Sequence, residues 1–137
     1  AGRGAGKEIK ALENSNVTVQ KQFDDISDAI AVSKIMIAPM VISIGLQNKI
    51  IQALAMKIPV VASSSAASSL IQHEDQVVLH GETPVEIAQH CIDLLDDEEK
   101  RVEYSNKGHE FVLKHYLWEI QNRKLNNLFA LVEKPSH

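Results

Sequence analysis

The apolar positions of the chain fall into short continuous runs, separated by longer stretches in which apolar and polar residues mix. Three runs, residues 35–38, 59–62 and 77–80, are almost entirely apolar. Runs of this length are typical of strands that are buried on both faces of a parallel sheet. We therefore predict a strand at each run, and a further short strand at residues 17–20.

The stretches between the runs carry the periodicity of amphipathic helices. The clearest helix start is near Thr83, which can act as the N-cap. Pro84 would then occupy the first helical position, and the Glu86 side chain can accept from the N-cap amide. Asp96 is predicted to cap the next helix in a similar way. The small residues 63–69 predict a loop and one helical turn. Helices are predicted at residues 7–12, 24–33, 47–56, 83–95 and 96–115, and from residue 117 onward.

The alternation of strands and helices indicates the fold class. A helix between two strands of one sheet gives a parallel pair with a right-handed crossover. The sequence thus predicts an α/β fold, a Rossmann-like three-layer domain with a parallel sheet. Ligands of such domains bind beyond the carboxyl ends of the strands. The loops after Gln20, Pro39, Ala62 and His80 are therefore the first candidates for a site.

Composition and charge narrow the range of functions. The 137 residues include 45% hydrophobic and 23% charged residues, which is the balance of an ordinary folded domain. The formal net charge of -4, with Lys and Arg spread along the chain, leaves no basic stripe, so we expect no nucleic-acid partner. The single Cys91 has apolar neighbours, and we expect a buried thiol in the reducing cytoplasm. No apolar run approaches the roughly 18 residues of a membrane span, so we expect any membrane contact to be peripheral.

One loop has the features of an anion site. Gly45 lies in the loop that opens the helix predicted at 47–56, and Lys49 follows one turn later. A helix start presents unpaired backbone N–H groups and the positive end of the helix dipole, which together favour a phosphate. The alternative is that Gly45 only makes the turn and that Lys49 is a solvated surface lysine.

The same segment resembles the signature of the group 1 family of retaining GT-B glycosyltransferases. That signature runs from a proline through a glycine-containing loop and a lysine to Glu-Ala-Met-Ala and Pro-Val-Val-Ala. Here Asn48 and Lys49 are followed by Ala-Leu-Ala-Met at 53–56 and Pro-Val-Val-Ala at 59–62. Later family landmarks are matched at 83–88, 94–96 and 116–118, so the resemblance covers nearly the whole chain.

The resemblance implies a domain and an activity. In this family the C-terminal domain binds a nucleotide diphosphate sugar, while the acceptor lies mainly on a separate N-terminal domain. We therefore expect residues 1–137 to form a single donor-binding domain, an incomplete C-terminal fragment of a two-domain glycosyltransferase of polysaccharide biosynthesis. The acceptor would be a saccharide or a lipid-linked saccharide. The donor is a substrate, and neither a cofactor nor a metal is expected.

The resemblance also assigns the diphosphate contacts. The backbone of Ile44, Gly45 and Leu46 would approach the pyrophosphate, and Lys49 would neutralise it. Because the acceptor side belongs to another domain, no catalytic residue is assigned in this chain.

The nucleoside contacts follow in the same way. Gln52 falls where the family has a glutamate that binds the ribose hydroxyls. Lys21 and Gln22, followed by Phe23 after the first predicted strand, would lie beside the nucleobase.

Three positions depart from the family pattern. Ile44 and Gln52 stand where the family often has two glutamates, so neither carboxylate is present. Lys57 replaces a glycine at a helix end, where a left-handed backbone conformation is expected. The loss of both glutamates keeps an alternative open, a non-catalytic glycosyltransferase-like module for interaction or regulation.

A receiver-like domain is disfavoured because Asp24 and Asp25 have no matching phospho-acceptor aspartate at a later strand end.

Overall fold

The computed structural model describes residues 6–19, 26–45, 47–71 and 76–117, which fall into two compact units within residues 1–32 and 33–137. The first unit contains α1 (Lys7–Lys10) and α2 (Ile26–Ala31). The second contains three strands and four helices. In chain order they are β1 (Met36–Ala38), α3 (Asn48–Ala55), β2 (Val60–Ser63), α4 (Ser64–Ile71), β3 (Leu79–Gly81), α5 (Pro84–Asp96) and α6 (Glu98–His115).

In the first unit, the strand predicted at residues 17–20 is wrong for its described residues, and Gln20 lies outside them. Val17 makes only an isolated antiparallel bridge with Asn14. The Asn14 side-chain oxygen accepts hydrogen bonds from the backbone N–H groups of Asn16 and Val17, at 2.8 and 3.1 Å. The carboxamide thus gives these amides a local partner in place of a neighbouring strand.

The second unit is built on a parallel sheet in the order β1-β2-β3. The register aligns Ile37 with Val61 and Val61 with Leu79, so these side chains share one face of the sheet. On that face Val61 and Leu79 pack against Cys91 and Leu94 of α5. The sheet and its flanking helices confirm the predicted α/β, Rossmann-like class.

The helices α3 and α4 are the crossovers that make the sheet parallel. Both contact β2, and the buried Val60 of β2 points to the face opposite Val61. α6 contacts both α3 and α5. The side chains that α3 and α4 bury are Ile50, Ala53, Leu54, Ala66, Ala67 and Leu70. None of the described helices is both long enough and apolar enough to cross a bilayer.

β1 is less buried than its sequence predicts. Ala38 is buried, but Ile37 is 48% exposed. Within the described residues β1 pairs only with β2, so no strand lies along its other edge. The prediction of burial on both faces is therefore wrong for β1, whereas Val60, Val61 and Ala62 of β2 confirm it for the middle strand.

The serine-rich stretch after β2 is more helical than predicted. The Ser63 hydroxyl accepts a hydrogen bond from the Ala66 N–H at 3.2 Å, the geometry of a helix cap. As a result α4 begins directly at Ser64 and continues through Ile71, instead of making a loop and a single turn.

The start of α5 confirms the sequence prediction, and the start of α6 corrects it. Thr83 and Glu86 form the predicted capping box. α5 then runs through Asp96, and the side chain of Asp97 caps α6 by accepting from the Lys100 N–H at 2.9 Å. Asp96 is not the cap because it is still helical. The helix predicted from residue 117 onward lies almost entirely outside the described residues.

Candidate functional site

A cavity of about 780 Å³ opens at the carboxyl ends of the three strands. Its walls are mostly apolar, with Ile37 from β1 and Ile87, Cys91 and Ile92 from α5. Serine hydroxyls from residues 63–65 line its polar side. This is the edge of the sheet at which the alternating pattern predicted a site.

The loop after β1 is fixed to the end of β2. The Met40 carbonyl oxygen accepts hydrogen bonds from the hydroxyls of Ser63 and Ser65, both at 2.6 Å. The two hydroxyl oxygens lie 3.1 Å apart. These bonds determine where the loop leaves the sheet, and therefore where α3 begins.

The end of the same loop that precedes α3 is held by hydrogen bonds from the Gln47 side chain. The Gln47 side-chain amide donates to the Ser43 hydroxyl at 2.7 Å and lies 3.4 Å from the Ile44 carbonyl oxygen. Between them Gly45 has a φ of 70°, which is a left-handed conformation that favours glycine. Apart from its chain neighbours, no described residue has an atom within 4 Å of the position that a Gly45 Cβ would occupy.

The start of α3 carries amides without an intrahelical acceptor. Among the described residues no side chain caps this end, because Gln47 uses its side chain to brace the loop. The first bond at the helix start runs from the Ile50 N–H to the Gln47 carbonyl at 2.9 Å. The amides of Asn48 and Lys49 precede it and lie at the positive end of the helix dipole.

Two predicted site side chains lie together on α3. Lys49 and Gln52 are three residues apart, which makes them neighbours on the helix surface. Both are exposed, and in the described part of the chain Lys49 has no carboxylate partner. The structure therefore brings one free cation and one amide beside the uncapped helix start.

The remaining predicted site residues add no polar side chain to the described part of the site. Ile44 is 90% exposed and offers an apolar side chain to solvent. Leu46, Lys21 and Gln22 lie outside the described residues.

Burial and hydrogen bonding shift the pKa values of two titratable groups near the cavity. Burial raises the pKa of the Cys91 thiol, so it stays protonated at neutral pH and is a poor nucleophile. Hydrogen bonds from the backbone N–H groups of Glu82 and Thr83 lower the pKa of the Glu86 carboxyl, which acts as a helix cap. The described ranges contain no cluster of three or more side chains suited to holding a metal ion.

The sequence analysis did not predict the two sets of hydrogen bonds that hold the loop between β1 and α3. The bonds from Ser63 and Ser65 to Met40 join residues more than twenty positions apart, so no local pattern reveals them. The brace by Gln47 joins two side chains only four residues apart, so it was detectable in principle. The brace matters because it leaves the helix start free.

Comparison with known proteins identifies the family. No curated protein and no solved structure gives a significant match to the chain. The model of the family described as "Glycosyl transferases group 1" matches residues 1–97, well over half of the 137 residues. That range includes the whole Gly45 loop, α3 and the cavity. The chain therefore belongs to the group 1 glycosyltransferases.

Proposed function

We propose that this chain binds the nucleotide diphosphate sugar from which a glycosyl group is transferred to an acceptor. The observation that carries the proposal is the start of α3, which no described side chain caps. Gly45 has a left-handed backbone there, and Lys49 pairs with no described carboxylate. The site lies at the carboxyl edge of a parallel sheet, in a chain of the group 1 glycosyltransferases.

The proposed chemistry is stabilisation of a leaving group. When the bond between the sugar and the diphosphate breaks, negative charge grows on the phosphate oxygens. Fixed N–H dipoles and a nearby ammonium group stabilise such charge more as it develops. The amides of Asn48 and Lys49, together with the Lys49 side chain, supply these groups here.

The nucleoside end of the donor would extend along α3. Gln52 lies one turn after the helix start and offers an amide to the ribose hydroxyls. Lys21 and Gln22 are proposed to contact the nucleobase. The large apolar cavity beside the loop leaves room for a further part of the donor or acceptor.

The acceptor side is proposed to lie on another domain of the parent protein. In this proposal the N-terminal domain of the parent protein binds a saccharide or lipid-linked saccharide. The complete enzyme would act in polysaccharide biosynthesis in the cytoplasm. Any membrane contact would be peripheral and made through the parent protein. The present chain then contributes donor binding and orientation, as a single domain over residues 1–137.

Calorimetric titration with UDP and GDP tests the proposal. One of the two nucleotides should bind the wild-type chain, and Lys49→Ala should weaken that binding about tenfold or more, because it removes one charge-assisted contact to phosphate. Lys34→Ala is the matched control: it removes the same charge from an exposed position before β1, at the opposite end of the strand. Equal loss in both variants would contradict a site at α3.

A non-catalytic module for interaction or regulation is the second candidate. It is favoured by Ile44, whose exposed apolar side chain replaces a family carboxylate, and by the uncharged Gln52. This candidate predicts a folded chain that binds neither nucleotide nor nucleotide sugar. The same titration therefore separates the two functions.

A further inference from the structure

α6 contacts the end of α3 that lies opposite the candidate site. The Ser105 hydroxyl donates to the Lys57 carbonyl oxygen at 2.6 Å. The His109 Nδ1 lies 2.8 Å from the Ala55 carbonyl oxygen. Because a carbonyl can only accept, Nδ1 carries the proton in this contact.

These two bonds add donors at the carboxyl end of α3. Two backbone hydrogen bonds already end the helix. The Lys57 N–H donates to the Leu54 carbonyl at 3.1 Å, and the Ile58 N–H donates to the Ala53 carbonyl at 2.9 Å. This is a Schellman motif with Lys57 in the left-handed position. The α6 side chains supply donors to Ala55 and Lys57, whose carbonyls receive none from that motif.

A close contact between the two helices lies between the two hydrogen bonds. A Cβ added to Gly108 of α6 would come within 2.5 Å of the Leu54 Cδ2 of α3. Gly108 is buried and Leu54 is fully buried, so the helices meet here without space between them. One face of α6 therefore contacts α3 and the residues that follow it through Ser105, Gly108 and His109.

Contacts at one end of a short helix contribute to the position of its other end. α3 has eight residues, so its ends are about 12 Å apart. A tilt of about 10° at the carboxyl end would displace the start by about 2 Å over that length. Displacements of about 1 Å are enough to lose hydrogen bonds that depend on alignment.

We propose that Ser105 and His109 are positioning residues for the donor site: they hold the carboxyl end of α3 so that its start faces the diphosphate. This inference rests on the proposed function. Both residues lie beyond residue 97, outside the range that the family model matches. The two hydrogen bonds and the Gly108 contact carry the inference, and neither residue touches the donor.

The test compares Ser105→Ala/His109→Ala with Asp97→Ala, which removes the cap of the same helix but leaves its contacts with α3 in place. Both variants should lower the midpoint of thermal unfolding. Only the double variant should weaken binding of the preferred nucleotide, by about three- to tenfold, and shift the NMR amide signals of Asn48 and Lys49. Ser105→Thr/His109→Gln keeps a donor at each position and should restore most of the affinity.

The outcomes separate the two claims. If the wild-type chain binds nucleotide and the double variant matches Asp97→Ala in affinity and amide signals, the positioning role is wrong and the donor site stands. If the folded wild-type chain binds no nucleotide, the proposed function fails, and the positioning role for a donor fails with it. Loss of affinity without rescue by the conservative variant would show that packing, and not the two hydrogen bonds, is responsible.

Discussion

At the residue scale, Lys57 has a backbone conformation that favours glycine. The sequence predicted a left-handed residue at this helix end, and the φ of 61° confirms it. A side chain with a Cβ is disfavoured in this region relative to glycine. The fold tolerates the lysine because the Schellman bonds and the Ser105 hydroxyl fix the backbone on both sides of it.

Replacing this lysine by glycine should stabilise the chain. We expect Lys57→Gly to raise the free energy of unfolding by about 0.5–1 kcal/mol, because the relief of strain outweighs the extra freedom of the unfolded chain. Urea denaturation at neutral pH measures the change. Lys57→Ala is the control, since it removes the charge and keeps the Cβ, and it should give no such gain. Equal stabilisation by both variants would mean that the lysine charge, not the backbone, is unfavourable.

Gln52 gives a second prediction at this scale. Gln52→Glu restores a carboxylate that accepts more strongly from ribose hydroxyls, so the affinity for the preferred nucleoside diphosphate should rise about fivefold. Inorganic pyrophosphate has no ribose, and its affinity should not rise. Competition binding with the two ligands measures both effects. A parallel change for nucleotide and pyrophosphate would show that Gln52 does not contact the ribose.

At the element scale, the helices illustrate what a sequence can and cannot predict. The capping box of Thr83 and Glu86 was predicted because all of its partners lie within four residues. The start of α4 was not, since the serines that suggested a loop also serve as a cap and as donors to Met40. Near Val17, local side-chain bonds replace the predicted strand ladder.

The capping box makes a prediction about pH. Hydrogen bonds from backbone N–H groups lower the pKa of Glu86, so its stabilising effect is present above the ordinary carboxyl pKa of about 4.5 and is lost as the pH falls through the lower folded value. Glu86→Gln should therefore be less stable than wild type at neutral pH, and the difference should shrink on acidification. Thermal unfolding from pH 7 down to pH 3 measures it. A difference that grows toward low pH would contradict the role of the carboxylate.

At the scale of the whole molecule, the class of fold could be predicted and the extent of burial could not. Alternating strands and helices predict parallel pairing, and the parallel pairs β1–β2 and β2–β3 confirm it. The exposure of Ile37 depends on what lies beside β1, which no pattern within residues 35–38 contains. Likewise the motif at 45–62 predicted the loop and helix of the site, but the serine contacts that fix the loop depend on the assembled sheet.

The proposal that the acceptor lies on another domain predicts how the chain behaves alone. We expect residues 1–137 to bind donor nucleotide but to transfer no sugar at an appreciable rate, because the acceptor is proposed to lie on another domain. A nucleotide-release assay with UDP-sugars and GDP-sugars, using saccharide acceptors, measures turnover. Release that depends on the acceptor would overturn this proposal and would place the chemistry within the present chain.

The most direct test of the central claim is an NMR titration of the isotopically labelled chain with UDP and GDP, followed at individual backbone amides. The account predicts that one nucleotide shifts the signals of Gly45, Asn48 and Lys49 first and most. In Lys49→Ala the shifts of Gly45 and Asn48 should need about tenfold or more nucleotide, while the spectrum of the fold is retained. Shifts confined to other surfaces, or no shifts in a folded chain, would contradict a donor site at the start of α3.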